Sequence, residues 1–353
     1  MQVALGIIEG FYGKPWSWAA RAETAAFLAP HGYRFYIYAP KADVFLRERW
    51  QEDHPREEAE HLRMFAARCR ELGVRFGVGL SPFEIYRDFD RAARAALARK
   101  LTYLADIGID DLAILFDDMK GDIPGLAEKQ TDIVHWIAER MSAKRLIVCP
   151  TYYSDDPVLD RIFGRRPQNY LEEFGARLDP SIDIFWTGEE VCSQAFMPGH
   201  LERICHLLGR KPVIWDNYPV NDGKRMSQYL HLRAFTGRPA AMGNHIAAHA
   251  INPALQPVLS RIPSLSLVES YTRGESYEYG RAFDAAAIAV AGRRLAETLR
   301  QDILLLNDTG LDRLEGAAER LRKRYGEFDH PAAQEVVAWL DGAYRFEALV
   351  PTS

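Results

Sequence analysis

The chain has 353 residues, 44 basic against 49 acidic side chains, a formal net charge of −5 and 48% hydrophobic residues. No apolar run approaches the ~18 residues of a membrane span, and no basic cluster marks a nucleic-acid surface. What remains is a globular protein with a large core and a small-molecule or carbohydrate site.

The start, Met1-Gln2-Val3-Ala4-Leu5, enters a strand-like segment with neither a basic leader nor a small-residue cleavage site. Cys69, Cys149, Cys192 and Cys205 show no CxxC pairing and fall in core-like segments. Reduced structural thiols and a cytoplasmic setting are expected.

Short runs rich in β-branched and aromatic residues begin near Val3, Phe35, Arg75, Leu112, Leu146, Ile182, Val213 and Ile246, with successive starts 31 to 40 residues apart. Helical spacing fills the gaps between them. Ala59, Leu62, Phe65, Ala66, Cys69 and Leu72 share one face, as do Ala93, Leu97, Leu101, Leu104 and Ile107. Eight alternating strand and helix units predict an eight-stranded parallel β/α barrel over residues 1–277. A doubly wound open sheet is the rival, but Gly10-Phe11-Tyr12-Gly13-Lys14 is not the Gly-rich phosphate loop such a sheet usually carries after its first strand.

Beyond about Tyr277 only helical spacing remains: Leu295, Leu299, Ile303 and Leu306, then Leu311, Leu314, Ala318 and Leu321, then Val336, Leu340 and Tyr344. Asn307-Asp308-Thr309-Gly310 and Asp329-His330-Pro331 break the pattern, which predicts a small bundle of about three helices over 278–353.

In a β/α barrel the chemistry sits at the C-terminal ends of the strands. Those ends read Glu9-Gly10-Phe11-Tyr12-Gly13, Ala39-Pro40-Lys41-Ala42-Asp43, Phe116-Asp117-Asp118-Met119, Cys149-Pro150-Thr151-Tyr152-Tyr153, Trp186-Thr187-Gly188-Glu189, Trp215-Asp216-Asn217 with Asn221-Asp222 beyond, and Asn252-Pro253. Asp117-Asp118 is the sharpest signal. Two adjacent carboxylates at the mouth push at least one pKa upward, which would keep a general acid protonated near neutral pH. An acidic helix cap is the plain alternative for an isolated pair.

Lys41 suits donation to a hydroxyl or neutralisation of an acid. Phe11, Tyr12, Tyr153, Trp186 and Trp215 suit a stacking wall for the apolar face of a sugar, or simple core packing. Asn217 and Asp222 suit recognition of vicinal hydroxyls, although Asn221-Asp222-Gly223 is also a common turn. His245 and His249 lie four apart around a strand-like segment, where that spacing does not build a metal site. Neither GxSxG nor a P-loop occurs, so acyl and phosphoryl transfer lack support.

Taken together, Gly6-Ile7-Ile8-Glu9-Gly10-Phe11-Tyr12-Gly13-Lys14-Pro15-Trp16, Tyr38-Ala39-Pro40-Lys41, Leu115-Phe116-Asp117-Asp118, Cys149-Pro150-Thr151, Trp186-Thr187-Gly188 and Ile214-Trp215-Asp216-Asn217 with Asn221-Asp222 resemble glycoside hydrolase family 84. These are β-N-acetylglucosaminidases, including protein O-GlcNAc hydrolases and enzymes historically called hyaluronidases. The resemblance runs across the whole barrel. It implies a retaining, substrate-assisted hydrolysis of terminal GlcNAc, in which the acetamido oxygen attacks its own anomeric carbon to form an oxazoline.

By that resemblance Asp117 would orient the acetamido N–H, and Asp118 would protonate the leaving oxygen and then deprotonate water. Tyr153, Trp215 and Asn217 would shape the acetamide pocket, and the Gly10 main chain, Lys41, Asp222 and Asn252 would bind the pyranose hydroxyls. Two positions depart from the family pattern: Tyr152, where an acidic residue is frequent, and Gly223, where an aromatic is frequent. Both bear on the pocket rim and the aglycone. The scheme uses no metal and no cofactor, and its partner is a GlcNAc-bearing glycan or glycoprotein rather than nucleic acid or membrane. A protein-directed role would require a groove beside the pocket, and a second subunit's helical tail completing it makes a homodimer a candidate assembly. The alternative is a non-catalytic GlcNAc-binding barrel, which would predict a replaced acid pair. A chitinase-like chemistry lacks its DxxDxDxE motif here.

Overall fold

Eight strands form where the apolar runs lie: β1 (Ala4–Glu9), β2 (Tyr33–Tyr38), β3 (Arg75–Leu80), β4 (Asp111–Leu115), β5 (Arg145–Cys149), β6 (Asp183–Trp186), β7 (Val213–Asp216) and β8 (Ala248–Ile251). All neighbours pair in parallel, and β1 pairs with both β2 and β8, which closes the barrel. The computed structural model describes residues 3–348 and 350, so the reading of Met1 and Gln2 and the outer ends of both expected units lie outside the described residues.

Strands covered on both sides need no polar face, which is why every residue of β4, β7 and β8 is buried and each is mainly apolar, with single polar residues Asp111, Asp216 and His249. The one charge in β4, Asp111, is neutralised at the strand's start by the Arg75 guanidinium of β3, 3.0 Å away.

The helix over Arg56–Glu71 buries Ala59, Leu62, Phe65, Ala66 and Cys69, the face its spacing predicts. The helix over Arg91–Ile107 opens with the Asp90 carboxylate accepting from the Ala93 N–H at 2.8 Å and ends at Gly108, whose φ of 88° suits glycine. Its buried face runs through Ala96, Leu97, Leu101, Leu104 and Ile107, with Ala93 only partly covered. Lys100 joins that face because its stem packs inward while its ammonium donates to the Glu52 carbonyl at 2.6 Å.

After the last barrel helix (Arg261–Arg273) the described residues form helices over Tyr279–Gln301, interrupted at Gly292, and over Ala317–Gly326 and Pro331–Leu340, with breaks at both predicted places. Pro331 occupies the first turn of the third, and the His330 ring caps it by accepting from the Ala332 N–H at 3.1 Å. These helices share one continuous core with the barrel, with Leu295, Leu299, Leu321 and Trp339 all buried in it. Glu335 and Trp339 are among the tail residues that reach the loops at the barrel mouth. Glu335 accepts from the main-chain N–H groups of Val258 and Leu259 at 2.9 and 2.8 Å, and the Trp339 indole donates to the Ser227 carbonyl at 3.3 Å.

Candidate active site

Pairing of β4 with β5 continues one residue past β4, through the Phe116 N–H to the Cys149 carbonyl at 2.9 Å, and so delivers Asp117 to the barrel mouth. Asp118 then adopts a left-handed main-chain conformation, φ 58°, which a short polar side chain tolerates. That turn lets two consecutive carboxylates face one pocket. The pocket is lined by all nine sequence-predicted residues: Gly10, Lys41, Asp117, Asp118, Tyr153, Trp215, Asn217, Asp222 and Asn252.

The two carboxylates differ in their partners. Asp117 is ion-paired through Oδ2 to the Lys41 ammonium, while its Oδ1 is buried without a hydrogen-bond partner. Asp118 accepts from the Tyr12 hydroxyl at 2.7 Å and the Tyr153 hydroxyl at 3.1 Å, with the Lys41 ammonium 3.5 Å away. Burial alone would raise the Asp118 pKa, but Lys41, Arg47 and the two phenols outweigh it and hold the carboxyl below its ordinary value. The expectation of a raised, protonated Asp118 is therefore corrected. The neighbouring carboxylate is offset by cations that arrive from the loop after β2.

On the opposite wall the Trp215 indole N–H donates to Asn217 Oδ1 at 3.0 Å, and the Asn252 amide donates to the same oxygen at 2.9 Å. Asn217 in turn donates to the Val191 carbonyl at 2.8 Å, and Asn252 Oδ1 accepts from the Gly10 N–H at 3.2 Å. This chain of bonds fixes the indole edge. A Cβ on residue 10 would lie 2.2 Å from Trp215 Cζ2, so only glycine allows the strand end to approach the ring. Asp222 accepts from the Tyr12 main-chain N–H at 2.8 Å and thereby ties the loop after β1 to that after β7. Tyr153 is driven well above its ordinary pKa by burial, which keeps it a neutral donor.

Of the five aromatics considered for a stacking wall, Tyr12, Tyr153 and Trp215 line the pocket. Phe11 packs in the core with Trp16, Val220 and Leu255, and Trp186 is fully buried with its indole N–H on His200. Tyr152 also leaves the rim: it is fully buried and donates to the Gly164 carbonyl at 2.6 Å. His249 is a core residue between Asp216 and Tyr271, at 2.9 and 2.8 Å. Cys149, Thr187 and Val191 line the pocket as well, the first two inside motifs already visible in the sequence. Arg47 had no such signal. Its guanidinium donates to the Asp118 carbonyl at 3.1 Å from a loop without a recognisable motif.

Residues 5–303 match the family model for β-N-acetylglucosaminidases. The chain belongs to that family.

Within the family, the mouse (Mus musculus) and rat (Rattus norvegicus) proteins named Protein O-GlcNAcase are each 30% identical over 257 residues, 70% of this chain. The match spans only 28% of the length of either relative. Among solved structures, a variant of an O-GlcNAc hydrolase from Thermobaculum terrenum superposes with a TM-score of 0.80 at 26% identity, covering 96% of this chain and 80% of that one. The structure of CpGH84B shares the fold, with a TM-score of 0.74 at 23% identity over 96% of this chain and 65% of that one. Among the described residues no helix is long and apolar enough to cross a membrane.

Proposed function

We propose that this family member is a retaining exo-β-N-acetylglucosaminidase that releases terminal GlcNAc, including O-GlcNAc on protein, by substrate-assisted catalysis. The observation that carries the reading is the division of labour in the Asp117-Asp118 pair: one buried oxygen of Asp117 without a partner, and an Asp118 carboxylate met by two hydroxyls.

In this scheme the acetamido N–H donates to Asp117 Oδ1, which orients the acetamide and offsets the charge that develops as its oxygen bonds to the anomeric carbon. The glycosidic C–O bond breaks, and Asp118 gives its proton to the departing oxygen. Water then adds to the anomeric carbon, its proton returns to Asp118, and the oxazoline reopens to the acetamide. Trp215, Tyr153 and Asn217 enclose the acetamide, and Gly10, Lys41, Asp222 and Asn252 meet the ring hydroxyls. No metal or cofactor enters.

The division after residue 277 belongs to the same proposal, with the barrel carrying the chemistry and the helical tail buttressing its loops. So do a cytoplasmic setting, in keeping with four free cysteines among the described residues, and a homodimer, which light scattering tests.

The deciding experiment compares release of 4-nitrophenol from the β-N-acetylglucosaminide and from the plain β-glucoside. Hydrolysis of the acetamido sugar alone, lost in Asp118→Ala with a poor leaving group, is the expected result. Equal hydrolysis of both sugars would overturn the substrate-assisted scheme. No hydrolysis of either by folded protein would favour a GlcNAc-binding barrel.

A further inference from the structure

Resting on that reading, we infer that Arg47 is a positioning residue for Asp118: it anchors the aspartate's left-handed main chain and supplies the positive charge that balances its carboxylate. Lys41, Arg47, Asp117 and Asp118 meet at the mouth, and the third carboxylate of the pocket, Asp222, accepts from the Tyr12 main-chain N–H. Lys41 is shared: it makes the direct ion pair with Asp117 and also reaches Asp118 Oδ2 at 3.5 Å, so one ammonium faces both carboxylates. The remaining groups facing Asp118 are neutral: the Tyr12 and Tyr153 hydroxyls, and the Cys149 thiol, whose pKa burial raises. Arg47 is therefore the second counter-charge.

Its geometry suits that task. One guanidinium nitrogen donates to the Asp118 carbonyl at 3.1 Å, and the other terminal nitrogen is buried without a hydrogen-bond partner. The guanidinium carbon lies 5.3 Å from the centre of the Phe83 ring, which is 43% exposed and covers it from the solvent side. A group so placed cannot deprotonate to relieve its burial, so its charge is permanent. Without it, two carboxylates would share one ammonium, and Asp118 would hold its proton to higher pH.

The consequence is a trade between the two halves of the reaction. Asp118 must donate a proton in the first and accept one in the second, and Arg47 favours the second. For a poor leaving group, kcat/KM reports the protonated Asp118 of the free enzyme and falls as pH rises past its pKa.

The test is the pH profile of kcat/KM on phenyl β-N-acetylglucosaminide for wild type, Arg47→Met, Arg47→Gln and Arg47→Lys. Gln keeps a donor for the Asp118 carbonyl without the charge, and Lys keeps the charge. The descending limb should move up by about one pH unit in the Met and Gln variants and stay in place in Lys. A uniform loss at every pH with the limb unmoved would overturn the inference and leave Arg47 as packing. Should Arg47→Met fail to fold, the Gln and Lys pair decides alone. Absence of hydrolysis in wild type would overturn the glycosidase reading instead, so the two failures are distinguishable.

Discussion

Lys41 and Asp117 form an ion pair inside the pocket with only 4% and 6% of their side chains exposed, and the pairing occupies a single carboxylate oxygen. The other oxygen is a buried acceptor without a donor, a state that costs about 1–3 kcal/mol and that a substrate N–H relieves on binding.

Asp117→Asn should therefore slow hydrolysis of activated and unactivated N-acetylglucosaminides alike, by ~100-fold or more, because orientation of the acetamide is needed whatever leaves. The measurement is kcat/KM on 4-nitrophenyl and phenyl substrates. Selective rescue by 4-nitrophenol as leaving group would require the roles of Asp117 and Asp118 to be exchanged.

Asp118→Ala should show the opposite selectivity. Loss of a general acid costs about 10²–10⁴-fold with a poor leaving group and far less with one that departs as a stable anion. Azide, which needs no base to attack the intermediate, should restore turnover on the activated substrate as the glycosyl azide. Equal losses on both substrates would remove Asp118 from the acid role.

Gly10→Ala tests the closeness of β1 to the indole. The added methyl would meet Trp215 Cζ2 at 2.2 Å and Cη2 at 2.8 Å, and the ring cannot yield freely because its N–H is bound to Asn217 and it packs T-shaped against Phe185. An overpacking cost of about 1–3 kcal/mol is expected, seen as a lowered melting temperature together with a raised KM. Wild-type KM in a stable variant would show that the Trp215 position does not define the sugar site.

The barrel was legible because strands buried on both faces leave short apolar runs at a regular interval, and because the strand ends are where a β/α barrel keeps its polar residues. The same logic could not sort Phe11 from Tyr12. Past the end of β1 the alternation of faces stops, and only the fold turns one ring into the core and the other onto Asp118. The direction of the Asp118 shift was hidden for a related reason. Adjacency of two carboxylates is visible in a sequence, but the cations that outweigh it lie more than seventy positions away along the chain. Arg47 stands in a loop whose residues carry no motif, so its contact with the acid emerges only when the loops after β2 and β4 are brought together.

Glu335 gives the tail its own pH signature. The carboxyl is buried, and burial pushes its pKa up to about 7 from an ordinary 4.5, even though two main-chain N–H groups favour the charged form. A carboxyl raised on folding stabilises the native state fully below about pH 4.5 and loses that contribution as pH rises to 7, because the folded protein then retains a proton that the unfolded chain has released. The difference amounts to about 3 kcal/mol. Asp118 and Asp216, both lowered, act in the other window: their contributions are present above the ordinary 3.8 and disappear as pH falls through the folded values. The Glu335 component lowers the melting temperature between pH 4.5 and 7, against the opposite contribution of His200 and His231, whose burial holds them below their ordinary value, and the Glu335 component should be missing in Glu335→Gln. The substitution should also lower stability above pH 7, where the ionised carboxylate accepts from both Val258 and Leu259 and an amide offers only one acceptor. An unchanged slope in Glu335→Gln would mean that the carboxylate is charged at its junction with the loop after β8, and that the helical tail is held there by the same bonds at every pH.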